Sequence, residues 1–355
     1  MQDYKIFTIN PGSTSTKIAL FYGGNKIYYA NVSHEAKVLE RYETIAEQME
    51  YRQKTIEELL ERDKIDLNGM DICVGRGGGL LPMEGGTYEI DQLVLDHSMY
   101  AANGVVHPAC LGPGLAKRFA DKYNARAFTV NPPDVDELQD VARMTGIKGI
   151  YREVHLHALN LKETAIRHAK KLGKNYIDCN LIVCHIGGGI SISAHKNGRM
   201  IDGFDIAGGE GPMTPTRCGS VSVANVIEYC KNHSIKDLKE LCTKNGGFVD
   251  HIGSSNALEV TRRAENGDKY AQMLWDTMIY QIEKCIGAMA AVLHGRIDGI
   301  ILGGGMTNNR DLVGQIKNAC QWIAPIAVYP GEFEMEAMAA GAIRVLEGQE
   351  LLKKY

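Results

Sequence analysis

Residues 180–203 read NLIVCHIGGGISISAHKNGRMIDG, and the fold turns on how this stretch is understood. Leu181 to Ile186 is a short apolar run that stops at Gly187-Gly188-Gly189. Ile190 to His195 then alternates apolar with small or polar side chains, the period of a half-covered strand. Asn197-Gly198 supplies a two-residue hairpin turn, because both central residues of a type I′ turn need positive φ. Three glycines between two strands leave a loop without Cβ atoms, so backbone N–H groups can approach a phosphate and Ser191 can add a hydroxyl. Read alone, the stretch is equally a tight hairpin and nothing more.

A second copy of the plan favours the phosphate. Residues 4–31, YKIFTINPGSTSTKIALFYGGNKIYYAN, run apolar strand, small-residue loop Pro11 to Ser15, strand Lys17 to Tyr22, a Gly23-Gly24-Asn25 turn and strand Ile27 to Ala30. Asn10 and His185 fall at corresponding points, about half the chain apart. The repeat predicts two similar half-molecules facing each other, each lending a phosphate loop to one cleft. In the first loop Ser13, Thr14, Ser15 and Thr16 offer hydroxyls and Lys17 a cation.

Length and composition permit this. A chain of 355 residues is long for one core and comfortable for two. Lys and Arg number 39 against 43 Asp and Glu, so neither nucleic acid nor an anionic membrane is expected as a partner. No apolar run is long enough to span a bilayer and the first residues do not resemble a signal peptide, so a cytoplasmic protein is expected. Nine cysteines form no CxxC pair, which favours reduced, mostly buried thiols over a zinc site or a disulfide framework.

Several further segments carry candidate chemistry. A brief strand at Ile72 to Val74 enters Gly75-Arg76-Gly77-Gly78-Gly79, where a lone cation among glycines suggests an anion with access to it. A long loop, Ile206 to Gly219, holds a second isolated cation, Arg217. Asp298 to Leu302 reads as a strand running into Gly303-Gly304-Gly305 and then Asn308-Asn309 at the start of a helix, a nucleotide-friendly order. Helices are predicted over 42–62, 111–123, 151–172, 222–231, 235–243, 257–266, 269–294 and 332–350. The last opens on Glu332, Glu334 and Glu336, which suit the positive end of the helix dipole or, equally, a Mg²⁺ site. His107-Pro108 precedes a helix, and His155 and His157, through which another is entered, read from the residues alone as satisfied helix residues.

Taken together, Asn10-Pro11-Gly12-Ser13-Thr14-Ser15-Thr16-Lys17, His185-Ile186-Gly187-Gly188-Gly189 and Glu210-Gly211-Pro212-Met213-Thr214-Pro215-Thr216-Arg217 resemble motifs of the acetokinase family of carboxylate kinases, within the actin, sugar-kinase and Hsp70 superfamily. The resemblance spans the chain. It implies a duplicated, two-domain α/β fold of the actin-like, ribonuclease H-like kind with a central cleft. One domain would comprise 1–152 plus a returning helix at about 333–355, and the other 153–332. It also implies a homo-oligomer, dimer or larger.

The activity so implied is reversible transfer of the ATP γ-phosphoryl group to a short-chain carboxylate, giving an acyl phosphate and ADP. Arg76 and Arg217 would flank the carboxylate and the moving phosphoryl group, whose oxygens carry charge through the transition state. His157 would donate to the same oxygens, and Asn10 with Glu334 or Glu336 would organise Mg²⁺. Ser13, Ser15, Lys17, His185 and Gly187, Gly188 and Gly189 would hold phosphates, with Gly303, Gly304, Gly305 and Asn308 toward the adenosine. His107 stands where the family has a histidine near the substrate. One departure is Asn131, a neutral amide where the family has an acidic residue; either Asp134 or Asp136 substitutes, or the carboxylate is dispensable.

Acetate kinases resemble this chain but carry Val and Pro where it has Gly78 and Gly208. Each buried methylene is worth about 0.8 kcal/mol, so these glycines, with Val106 and Leu156 as apolar wall, predict a four-carbon straight or branched acid over acetate. An acetate or propionate kinase is the nearest alternative. A non-catalytic nucleotide switch of the actin or chaperone type is the more distant one.

Overall fold

The structure is a computed structural model that describes residues 3–355. It separates into two compact units, residues 1–135 with 333–355 and residues 136–332. The first boundary falls earlier than the 152 expected, because Asp136 to Arg152 bond within the second unit: Arg143 pairs with Asp136, and Arg152 with Asp202 and Glu210.

Unit 1 is built on a seven-stranded sheet. Its antiparallel meander is β1 (Lys5–Pro11), β2 (Ser15–Tyr22) and β3 (Asn25–Ser33). On the other side of β1 lie β4 (Ile72–Gly75) and β6 (Arg126–Val130), both parallel to it in direction, then β5 (Thr87–Glu89) and the short edge strand β12 (Leu352–Lys353). Ile6, Phe7 and Ile9 of β1 are wholly buried, as are Ile72, Cys73 and Val74 of β4, because the helices Gly112–Lys122 and Glu334–Leu346 pack on this sheet.

Unit 2 repeats the plan with five strands. The meander is β7 (Leu181–Ile186), β8 (Ile190–Lys196) and β9 (Arg199–Gly203), and β10 (Gly299–Gly304) and β11 (Ile326–Pro330) run parallel to β7. All six residues of β7 are buried because both faces are covered, by the helices Ala158–Lys171 and Lys269–Val292. The long helix begins at Asp268, whose carboxylate accepts from the N–H groups of Tyr270 and Ala271. Asn197 and Gly198 have φ of 52° and 73°, the positive values their hairpin turn requires.

The two loops occupy equivalent places. Asn10 is the next-to-last residue of β1 and His185 the next-to-last of β7. Pro11 and Thr16 close the first loop, while Ile186 and Ile190 close the second. On the parallel side Ile9 faces Gly75 and His185 faces Gly303. Each loop therefore lies at the carboxyl ends of its parallel strands, where open α/β sheets place ligands.

Three helices start later than their periodicity predicts. The chain from Tyr42 turns irregularly and becomes helical at Gln48, because the Glu47 carboxylate accepts from the Glu43 N–H and the Thr44 hydroxyl, a local competitor of the helix. Residues 151–157 are not helical: Arg152, His155 and His157 give their N–H groups to Arg143 O, Asp205 Oδ1 and Ser191 Oγ, so the helix begins at Ala158. The closing helix spans Glu334–Leu346, its approach held by a two-way bond between Gly331 and Gly304.

Candidate active site

In unit 1 the residues converge on one carboxylate. Glu334, in the first turn of its helix, places Oε2 2.6 Å from Asn10 Nδ2 and 3.8 Å from Lys17 Nζ, and Oε1 2.8 Å from Arg76 Nη1. A carboxylate there is favoured by the helix dipole as well as by three donors. Glu336, the other candidate, lies apart from this group and pairs with Lys26 at 2.6 Å. Arg76 is 8% exposed, so it is not a solvated loop charge.

The glycines around Arg76 serve packing more than access. A Cβ on Gly75 would stand 2.1 Å from Gly112 O, and one on Gly77 2.7 Å from Thr129 Oγ1. Their absence lets the helix Gly112–Lys122 approach β4 closely and draws the chain inward at Arg76.

The loop of Gly12 to Ser15 is closed by Gly12 N–H on Ser15 O at 2.7 Å. Ser13 and Thr14 are exposed, and their N–H groups reach no acceptor among the described residues. The loop's inner side is held by Arg52, a residue that helical spacing gives no reason to single out. Its Nη1 donates to Gly12 O at 3.0 Å and Thr16 Oγ1 at 3.0 Å, while Gln48 Oε1 takes Nε and Nη2. His34 also reaches Thr16 Oγ1, at 2.8 Å. Burial, with Arg52 adding to it, pushes the His34 pKa down to about 4, so its ring is neutral near pH 7.

In unit 2 the His157 and His185 rings stack with centroids 4.2 Å apart. Ser191, wholly buried, sits 2.8 Å from His157 Nδ1, so its hydroxyl serves a histidine and not a phosphate. The Gly188 carbonyl is drawn back by the hydroxyls of Thr214 at 2.9 Å and Thr216 at 3.1 Å. A Cβ on Gly189 would stand 2.0 Å from Arg217 Nη1, so the guanidinium lies directly over that glycine. Arg217 Nη1 is buried without a hydrogen-bond partner among the described residues. Burial lowers the pKa of Arg217, with nearby Asp205 opposing the shift. Burial raises that of Asp205, but His155 and the Ala207 N–H outweigh it and hold the carboxyl below its ordinary range. Arg152, which spacing also hides, bonds both oxygens of Glu210, at 3.0 and 2.9 Å, and thereby anchors the loop that carries Arg217.

Gly303 lies in β10, Gly304 ends it with φ of 92° and would clash through any Cβ with Ile186 O, and Gly305 opens to space. Exposed Asn308 bonds back to Gly305 O at 2.9 Å. Asn309 caps the helix Arg310–Cys320 through the Leu312 N–H.

The residues expected to shape an acid pocket fare differently. Leu156 is wholly buried in the core of unit 2 and offers a ligand no surface, whereas Val106 is 68% exposed on unit 1. The Cβ position of Gly208 is filled by the Asp205 carboxylate at 2.3 Å, and that of Gly78 meets Ala109 at 3.2 Å. Neither glycine leaves free volume where its side chain would be. His107 is exposed and caps the turn that follows by accepting from the Ala109 N–H.

Asn131 has φ of 40° and exchanges two bonds with Gly86, a turn role that an amide performs well. Asp136 belongs to unit 2 and takes both nitrogens of Arg143, and Asp134 accepts from Asn103 at 2.6 Å. The negative charge beside Arg76 comes from Glu334 instead.

No group of three His, Cys, Asp or Glu side chains forms a metal cage among the described residues. Unit 1 offers one carboxylate, Glu334, and the Asn10 amide oxygen. That donor set fits Mg²⁺, which keeps several waters and binds through one or two carboxylates plus substrate phosphates. All nine cysteines are free. No described helix is long and apolar enough to cross a membrane.

Two loops of small residues, each at the end of a parallel strand and each accompanied by an arginine, define a phosphoryl-transfer protein of duplicated α/β build. The sequence profile of the acetokinase family matches residues 145–329, and this chain belongs to that family. It is 40% identical to a protein named probable butyrate kinase from Clostridium botulinum (strain Alaska E43 / Type E3), over 99% of each chain. It is 42% identical to butyrate kinase 2 of Clostridium acetobutylicum, again over 99% of each. Among solved structures, acetate kinase of Porphyromonas gingivalis matches with a TM-score of 0.76 at 19% identity, over 97% of this chain and all of that one, so the fold is the actin-like one of acetate kinases.

Proposed function

We propose that this protein is a butyrate kinase: it transfers the γ-phosphoryl group of ATP reversibly to butyrate or a short branched-chain acid, giving the acyl phosphate and ADP. Membership of the acetokinase family makes the chain an ATP-dependent carboxylate kinase, a transferase acting on carboxylates and acyl phosphates. The observation that carries the mechanism is that each phosphate loop is accompanied by an arginine. Arg76 gives its N–H to Ile9 O beside the first loop, and Arg217 lies over Gly189 of the second with one nitrogen unpartnered.

In this reading the loop N–H groups, Ser13, Ser15, Lys17 and His185 hold the phosphates, and Gly303, Gly304, Gly305 and Asn308 lie toward the adenosine. Arg76 and Arg217 neutralise the acid and the equatorial oxygens of the moving phosphoryl group, where charge is greatest in the transition state. His157 donates a further hydrogen bond to those oxygens. Glu334 and Asn10 would hold Mg²⁺, which supplies charge neutralisation when bound. A two-domain division, a homo-oligomer of dimer size or larger and a cytoplasmic location belong to the same reading.

Preference for a four-carbon acid rests on the full-length relatives named butyrate kinase. The filled Cβ positions at Gly78 and Gly208 lend it no support and keep an acetate or propionate kinase as the second reading. Hydroxylamine trapping of acyl phosphate, with ATP, Mg²⁺ and a panel of acids, separates them. A higher kcat/KM for acetate than for butyrate and isobutyrate defeats the proposal, and no product with any acid favours a nucleotide switch.

A further inference from the structure

Arg52 carries a charge that its surroundings do not balance. Its side chain is wholly buried, and the described structure gives it no carboxylate partner. Its hydrogen bonds end on neutral acceptors alone: Gln48 Oε1, Gly12 O, Ser15 O at 3.4 Å and Thr16 Oγ1. Buried charges are ordinarily paired, and an arginine cannot shed its proton to escape the penalty.

The geometry of the loop indicates where the missing negative charge belongs. In a trans peptide the C=O of one residue and the N–H of the next point in opposite directions. With Gly12 O turned inward onto Arg52 at 3.0 Å, the Ser13 N–H points outward, and it has no acceptor among the described residues. Arg52 thus orients a peptide dipole whose positive end faces away from it, and adds its own charge behind that dipole.

Unit 2 provides an internal control. There a carbonyl one place further along the loop, Gly188 O, is drawn back by the hydroxyls of Thr214 and Thr216. Neutral groups therefore suffice to hold a carbonyl of such a loop. A guanidinium in the same office brings a charge that orientation does not require.

We propose that Arg52 is the positioning residue and buried counter-charge of the first loop, so that an anion bound at Gly12–Ser15 completes an ion pair across the loop's own backbone. The inference rests on the reading of that loop as a phosphate site. Arg52 touches no substrate and acts through the peptides of Gly12 and Ser15.

The test plants the anion by substitution. Ser13 is exposed, so Ser13→Asp is tolerated sterically and puts a carboxylate where the phosphate would lie. Melting temperature is measured for wild type, Ser13→Asp, Arg52→Gln and the double variant, and calorimetry gives ATP affinity for each and for Arg52→Lys. Ser13→Asp is expected to raise the melting temperature when Arg52 is present and not when it is replaced by Gln. Arg52→Lys is expected to retain ATP affinity near wild type, while Arg52→Gln loses about tenfold and shows a weaker salt dependence.

A purely structural clamp predicts otherwise: Lys and Gln variants equally impaired, with no coupling between positions 13 and 52. Either result overturns the inference. Undiminished ATP binding by Ser13→Asp would instead remove the phosphate reading of the loop, while the coupling between positions 13 and 52 would still report on the charge of Arg52.

Discussion

Arg76 Nη1 stands 2.8 Å from Glu334 Oε1, and the two side chains are only 9% and 16% exposed. An arginine read as the receptor of a carboxylate substrate is thus already holding a carboxylate of its own chain. The two compete for one guanidinium. Glu334→Gln is expected to lower the KM for the acid by freeing Arg76, and to lower kcat about 100-fold by removing the charge that would serve Mg²⁺. Glu336→Gln, which affects only the pairing with Lys26, should leave both constants near wild type. Steady-state kinetics on the two variants decide it, and a shared phenotype counts against the assignment.

Gly189→Ala tests the second arginine. The backbone at Gly189 does not have positive φ, so an added methyl strains no dihedral, but it would stand 2.0 Å from Arg217 Nη1 and must displace it. Melting temperature should change little while kcat/KM falls about 100-fold, the size of effect seen when a preorganised donor is lost. Unchanged kinetics would show that Arg217 is not needed where it lies.

Ser191 is expected to set the tautomer of His157. Its Oγ accepts from the His157 backbone N–H at 3.2 Å and lies 2.8 Å from Nδ1; the hydroxyl is expected to donate to Nδ1, which puts the hydrogen of a neutral ring on Nε2. Ser191→Ala should cut the rate about tenfold, because the ring then loses the partner that orients it. ¹⁵N NMR of wild type should show the Nε2–H tautomer; an Nδ1–H ring refutes the assignment.

His34 should make the fold acid-sensitive. Its pKa is about 4 in the folded chain, below its ordinary value, so the unfolded chain binds the proton more readily in between. Stability is fully present above pH 6.5 and is lost as pH falls toward 4, by roughly 3 kcal/mol at most. His34→Gln should flatten the decline in melting temperature between pH 7 and pH 5. His168 and His195 shift in the same direction, so the comparison with wild type isolates the share of His34.

The strands of both meanders were legible because alternation and turns of Gly and Asn are local signals, and the repeat tied Asn10 to His185 across the chain. Helix starts were less so. Tyr42 to Glu47 and Tyr151 to His157 carry helical spacing, yet their N–H groups answer to Glu47 itself, Asp205 and Ser191, partners that no periodicity reveals. Arg52 and Arg152 were invisible for a related reason. Charged residues at such spacing read as solvent-facing, and only the fold shows that one is buried under a loop and the other anchors Glu210. Gly78 and Gly208 were misread as empty space because a sequence records a missing side chain without recording which neighbour has moved into its place.

Glu334 belongs to the segment that rejoins unit 1 after the whole of unit 2 has been threaded. On the ribosome, Asn10, Lys17 and Arg76 emerge long before the carboxylate that gathers them, and β5 lacks its edge partner β12 until residue 353 has been made. A nascent chain therefore carries these cations without Glu334 while the whole of unit 2 is being made. The site in unit 1 is completed only after unit 2 has been made, so a product truncated before Glu334 retains both loops and lacks the charge that organises the first.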